Sequence, residues 1–190
     1  IGTCLVGSEM CIRDRLGSAL GVKTVIKNLQ QAGLSKAVAP NPSLFIGTTP
    51  MTPFEVAGLY QAIASNGYAT PLKAIRSVLN ADNQPLHRFP LETSRAWSSQ
   101  STFLIQHAMI NVARIGSARS AYRTMSKRFV FAGKTGTSGG QRDSWFAGFT
   151  GDLLAVVWIG RDENEPTGLT GSSGALPVWA KLMATSSRHS

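Results

Sequence analysis

Lys134-Thr135-Gly136-Thr137 is the stretch whose residue types and spacing suit chemistry best. It follows an apolar, aromatic run, Phe129-Val130-Phe131-Ala132-Gly133, that reads as a strand. A strand lining a cleft offers backbone N–H and C=O groups to an extended peptide, much as an added strand would. Gly136 has no side chain, so a substrate backbone can come close there. Thr135 and Thr137 set hydroxyls on either side of it, suited to holding a carboxylate. Lys134 supplies a fixed positive charge for that carboxylate or for polarising a neighbouring hydroxyl. The same four residues also fit a bland surface strand that ends in a solvated lysine and a Thr-Gly turn.

The elements that must position this stretch can be read from hydrophobic spacing. A helix is expected from Leu16, with Leu20, Val25, Ile26 and Leu29 on one face and Gly33 as its stop. Thr52-Pro53-Phe54-Glu55 has the form of a capping box with proline at the first helical position. Val56, Leu59, Tyr60 and Ile63 continue it as a helix that Asn66-Gly67 ends. Residues 72–79 and 86–89 flank Ala81–Pro85 as a hairpin. Leu104, Ala108, Val112 and Ile115 mark a third helix, terminated by Gly116. Three strands follow in succession, at Phe129–Lys134, Ser144–Phe149 and Leu153–Ile159, with Thr150-Gly151-Asp152 as a tight turn. Leu176, Trp179, Ala180 and Met183 then mark a last helix. Strands joined by short turns are antiparallel. With helices before and after them, the expected class is α+β, an antiparallel sheet covered by helices.

Residues beyond Lys-Thr-Gly extend the pattern. Asp143-Ser144-Trp145-Phe146-Ala147-Gly148 follows, then Val157-Trp158-Ile159-Gly160-Arg161-Asp162, Glu165-Pro166-Thr167 and Gly171-Ser172-Ser173-Gly174-Ala175 with Pro177 and Trp179. This ordered series resembles the C-terminal part of the transpeptidase domain of class A (bifunctional) penicillin-binding proteins, for which Lys-Thr-Gly is one of three signatures. Leu16–Gly21 and Thr52–Ala57 also resemble that family's segments between its second and third signatures, so the likeness spans about Leu16 to Met183. It implies a penicillin-binding, serine β-lactamase-like fold and D,D-transpeptidase activity in cell wall biogenesis. The implied partners are the peptidoglycan stem peptide or its lipid-linked precursor, and β-lactams. By the same resemblance the Thr135 and Thr137 hydroxyls hold the terminal carboxylate of a D-Ala-D-Ala stem peptide. The backbone N–H of Thr137 would be half of the oxyanion hole, with Lys134 catalytic and Gly136 in the substrate site. No cofactor and no metal are implied. The parent would be anchored at the extracytoplasmic face of a bacterial inner membrane, with a glycosyltransferase domain upstream.

The chain departs from the family's pattern in one respect. No Ser-x-x-Lys and no Ser-x-Asn occurs anywhere in its 190 residues. The nucleophilic serine and the middle motif are therefore expected upstream, leaving one wall of an active site in a chain that is itself inert. The chain opens on Ile1 rather than methionine and lacks the pattern of a signal peptide, as a fragment would. Residues 1–15 read as a non-native, adapter-like segment, with an ordinary flexible terminus as the alternative, 16–186 as the domain part and 187–190 as a tail. Both cysteines, Cys4 and Cys11, fall in the first segment, so the domain proper has neither disulfide nor thiol nucleophile.

Composition sets outer bounds. A hydrophobic fraction of 43% with 15% charged residues fits one folded domain rather than disorder. No apolar run approaches the roughly 18 residues of a spanning helix. The net charge is +9, from 19 Lys+Arg against 10 Asp+Glu. The excess survives removal of residues 1–15, where Glu9 and Asp14 cancel Arg13 and Arg15. No acid lies between Glu92 and Asp143, while Arg95, Arg114, Arg119, Arg123, Lys127, Arg128, Lys134 and Arg142 do. That stretch is either a solvated basic face or an attraction for anionic lipid and pyrophosphate-linked wall material. Nucleic acid is the rival partner, but no helix-turn-helix, zinc-finger or RNP pattern supports it. Trp145, Phe146 and Trp158 read as core. Asp143 either orients the Lys-Thr-Gly loop or caps a turn, and Arg161-Asp162 reads as a turn with a local ion pair. His87, His107 and His189 are isolated, without metal-ligand spacing. Besides the transpeptidase, the open functions are a D,D-carboxypeptidase or β-lactamase relative and a non-catalytic basic module binding anionic polymer or nucleic acid.

Overall fold

The computed structural model describes residues 9–126 and 128–186. Helix α1 (Glu9–Leu20) and helix α2 (Val22–Gln31) meet at Gly21, whose φ of 84° breaks what the apolar spacing reads as one helix. Helix α1 also begins before the expected Leu16 and runs unbroken across the expected boundary at residue 15. The calls on residues 1–8, Cys4 included, on Lys127 and on 187–190, His189 included, lie outside the described residues.

Helix α3 (Pro53–Ala64) starts as its sequence predicts. The Glu55 N–H donates to Thr52 Oγ1 at 3.2 Å, and the Glu55 carboxylate accepts the Thr52 N–H at 2.7 Å. That backbone N–H holds the Glu55 carboxyl below its ordinary value, with the Lys36 ammonium 3.2 Å away assisting. Strand β1 (Tyr68–Ala69) pairs with β4 (Ser94–Arg95), and between them β2 (Ser77–Leu79) and β3 (Pro85–Arg88) form the expected hairpin. Helix α4 (Ser99–Arg114) and a short 3-10 helix, Arg119–Arg123, lead to the main sheet.

That sheet comprises β5 (Ala132–Thr137), β6 (Ser144–Phe149) and β7 (Leu154–Ile159), antiparallel in the order β5-β6-β7. The α+β expectation holds. Strand β5 starts three residues later than its apolar run suggests and runs on to Thr137, so Lys134–Thr137 forms its last four residues, at the end of the strand as expected. Alternation gives the sheet two faces. Phe146, Ala155 and Val157 pack with Trp179, Leu176 and Met183 of α5 (Ala175–Ser186). Ala132, Phe149 and Leu154 pack with Tyr60 and Ile63 of α3 and with Met109 of α4. Trp179 is the largest fully buried side chain, its ring centroid 4.9 Å from Phe146 and 5.0 Å from Phe131. Truncating a buried tryptophan of this kind costs roughly 3–5 kcal/mol.

Helix α4 corrects its expected face. Thr102, Met109 and Ala113 are its buried residues, whereas Leu104 is 68% exposed and Ile115, just beyond the helix, 82% exposed. Phe146 is core as expected, but Trp145 is only half-buried and Trp158 is exposed. No helix among the described residues is long and apolar enough to cross a membrane.

Candidate functional site

Lys134-Thr135-Gly136-Thr137 runs along β5, an edge strand of the three-stranded sheet, and the other residues lend it shape. Its register on β6 pairs Lys134 with Ala147, Thr135 with Phe146, Gly136 with Trp145 and Thr137 with Ser144. The Ser138 N–H donates to the Asp143 carbonyl at 3.1 Å, which makes that pair a hydrogen-bonded one. In an antiparallel ladder hydrogen-bonded and non-hydrogen-bonded pairs alternate. Gly136 and Lys134 therefore direct their backbone groups inward to β6. Thr135 and Thr137 direct theirs outward, to the edge. The Thr135 carbonyl on that edge accepts the Lys134 ammonium at 2.9 Å.

The side chains divide by face. Thr135 and Thr137 share the α5 face with Ser144 and Phe146, while Lys134 and Gly136 share the opposite face with Trp145. Each threonine hydroxyl has a partner. Thr135 Oγ1 lies 2.7 Å from Ser117 Oγ, brought in by the turn after α4. Thr137 Oγ1 accepts the Gly171 N–H at 2.9 Å, which leaves its O–H to donate. Sequence reasoning missed Ser117 and Gly171 as partners, because contacts across 18 and 34 residues leave no local signal.

Segment 170–174 closes over β5 and β6 on the α5 face. A Cβ on Gly171 would stand 2.6 Å from both the Gly136 and the Trp145 carbonyl oxygens. Only glycine permits that approach. Ser144, fully buried, ties the segment down: its Oγ donates to the Thr170 carbonyl at 2.7 Å and accepts the Ala175 N–H, at the start of α5, at 2.9 Å. On the opposite face a Cβ at Gly136 would come within 3.1 Å of Trp145 Cβ. Gly136 is thus confined on both faces.

Asp143 ties the loop after β5 with its backbone and a neighbouring strand with its side chain. Its N–H donates to Ser138 Oγ at 2.8 Å, closing the loop after β5, and its carboxylate accepts the Trp158 indole N–H at 2.9 Å. Arg161 pairs with Glu165 at 3.1 Å rather than with Asp162. His87 packs edge-on to Phe89 and His107 stacks on Phe103. No cluster of three metal-ligating side chains occurs among the described residues.

An edge strand with two outward threonine backbones, two anchored hydroxyls and a lysine can hold an extended, carboxylate-bearing peptide. The chain is similar to known proteins. The model of the penicillin binding protein transpeptidase domain matches residues 19–183. The chain is 38% identical over 169 residues to penicillin-binding protein 1B of Vibrio cholerae and 36% identical over 170 to that of Escherichia coli K12. These matches cover 88% and 89% of this chain but only 22% and 20% of those proteins. Among solved structures, penicillin-binding protein 1A from Haemophilus influenzae superposes with a TM-score of 0.83 at 20% identity, over 93% of this chain and 32% of that one. PonA1 from Mycobacterium tuberculosis in complex with penicillin V gives 0.76 at 22% identity, over 91% and 52%. The fold, the position of Lys-Thr-Gly on its edge strand and the extent of the family match converge: this chain belongs to the penicillin-binding protein transpeptidase domain family, as its C-terminal part.

Proposed function

We propose that the protein containing this chain is a peptidoglycan D,D-transpeptidase working through a serine acyl-enzyme, and that this chain is its substrate-holding wall. The outward backbone of Thr135 and Thr137 on the β5 edge is the observation that carries the reading. A stem peptide lies along that edge as an added strand. The Thr137 N–H supplies half of the oxyanion hole, and the Thr135 and Thr137 hydroxyls hold the terminal carboxylate. Lys134 adds positive charge beside them, and Gly136 keeps the strand flat between Trp145 and Gly171. β-Lactams occupy the same place. A serine attacks the penultimate D-Ala carbonyl, terminal D-Ala leaves, and an amine of a second stem peptide takes the acyl group. This chain holds the wall of that reaction and no Ser-x-x-Lys, so by itself it is inert.

Likeness to penicillin-binding proteins 1A and 1B favours a synthase over a D,D-carboxypeptidase or β-lactamase, which differ in what accepts the acyl group. The same likeness supports a membrane-anchored parent in the periplasm with a glycosyltransferase domain. The test is the rate at which labelled penicillin acylates the complete gene product. Lys134→Ala is expected to slow it about a hundredfold, the scale of losing one charged transition-state partner. Unchanged rates would remove Lys134 from the site. Failure of the complete product to capture penicillin, with salt-sensitive DNA binding instead, would establish the non-catalytic reading.

A further inference from the structure

The basic stretch between Glu92 and Asp143 is not spread evenly over the surface. Arg114, in the last turn of α4, and Arg119 and Arg123, on the 3-10 helix that follows, line one open hollow of about 720 Å³. Tyr122, Phe129 and Val130 complete its wall. The wall is fixed: the Tyr122 hydroxyl donates to the Phe129 carbonyl at 3.1 Å, and its ring packs 5.3 Å from buried Phe131. None of the three arginines forms a salt bridge among the described residues, where the ion pairs are Lys36–Glu55, Lys73–Glu92 and Arg161–Glu165. The elements packed on the 3-10 helix, α4 and α5, contain no aspartate or glutamate, and α5 adds Lys181.

Like charges gathered around one hollow repel each other, and no aspartate or glutamate on the two packed helices offsets the repulsion. An anion does so. Guanidinium groups suit phosphate oxygens best, because their planar fork donates two parallel hydrogen bonds. We propose that this hollow binds a phosphate or pyrophosphate group. The aromatic and valine wall suits an apolar portion attached to that group, so its source is either a phospholipid headgroup or a soluble phosphorylated molecule. The proposal does not rest on the transpeptidase reading.

The experiment is calorimetric titration of the 190-residue chain with inorganic pyrophosphate, alongside Arg119→Gln/Arg123→Gln and, as a control, Arg161→Gln. Near-ultraviolet circular dichroism verifies that each variant keeps its tertiary packing. Pyrophosphate is expected to bind, more weakly as salt rises. The double variant should lose at least about tenfold in affinity and the control nothing. If the glutamine pair does not fold, Arg119→Lys/Arg123→Lys decides, since it keeps the charge but loses the fork and should fall between. No binding by the wild type, or equal weakening by Arg161→Gln, would overturn the proposal. Flotation with phosphatidylglycerol against phosphatidylcholine vesicles separates the sources. Selective binding to phosphatidylglycerol that pyrophosphate displaces assigns a headgroup, and pyrophosphate binding without vesicle binding assigns a soluble molecule. Vesicle binding that survives both pyrophosphate and the double variant would place the anion site elsewhere.

Discussion

Thr137 depends on a glycine 34 residues away. The Gly171 N–H fixes its hydroxyl at 2.9 Å, and Gly171 can lie there only because its α-carbon carries no side chain against the Gly136 and Trp145 carbonyls. Gly171→Ala would push segment 170–174 off the sheet, since backbone oxygens cannot yield as a flexible side chain can. We expect this variant to lower stability by about 1–3 kcal/mol, the range for overpacking a tight site. It should also slow penicillin acylation of the complete protein at equal enzyme concentration. Denaturant unfolding and acylation kinetics check the two effects separately. A variant with unchanged stability and rate would mean that the segment moves freely and does not position Thr137. At this scale the sequence made Lys134, Thr135, Gly136 and Thr137 legible by type. It left Ser117 silent and showed Ser144 and Gly171 only as members of longer runs, because the contacts of each lie with a partner distant in the chain.

Helix α3 shows what local rules reveal and where they stop. Its capping box is written in Thr52 and Glu55, and the folded helix makes both bonds. Its register against the sheet is not written locally. Tyr60 packs against Met109, Ala132 and Phe149, and burial pushes its phenol up to about 12. The charged phenolate is what burial penalises, so the folded state favours the neutral form. Tyr60 thus contributes stability that is fully present below its ordinary value near 10.0 and is lost as pH rises through about 12. Ultraviolet titration of the three tyrosines should find one that resists ionisation in the folded chain, and Tyr60→Phe should abolish that phase. A Tyr60→Phe titration identical to the wild type would mean that α3 does not cover the start of β5. Helix α4 went the other way. Of its Leu104, Ala108, Val112 and Ile115 stripe, Val112 packs against the core as expected, but Leu104 and Ile115 stay exposed and the buried apolar residues are Met109 and Ala113. Spacing identifies a helix, but which stripe is buried depends on what lies beside it. Strand β5 shifted for a related reason: Phe129 and Phe131 of its apolar run serve the core beneath α5, and the ladder begins only where β6 starts to pair.

At the scale of the whole molecule, the chain spans about a fifth of the length of the penicillin-binding proteins 1B that it matches. Ile12, Leu16 and Leu20 on α1 and Phe103, Leu104 and Ile105 on α4 are each at least half exposed. Apolar surface on this scale favours association with other protein. The antiparallel sheet with helices on both faces was readable from the order of elements. The absence of Ser-x-x-Lys and Ser-x-Asn is a property of the sequence alone, and no packing detail bears on it. The central claim is that the chain is the substrate-holding wall of a serine acyltransferase and not the whole of it. Intact-mass spectrometry after incubation with excess penicillin tests this most directly, run on the 190-residue chain and on the complete gene product side by side. The account predicts one covalent penicilloyl adduct on the complete product and an unmodified mass for the 190-residue chain. A stoichiometric adduct on the 190-residue chain, or none on the complete product, would contradict it.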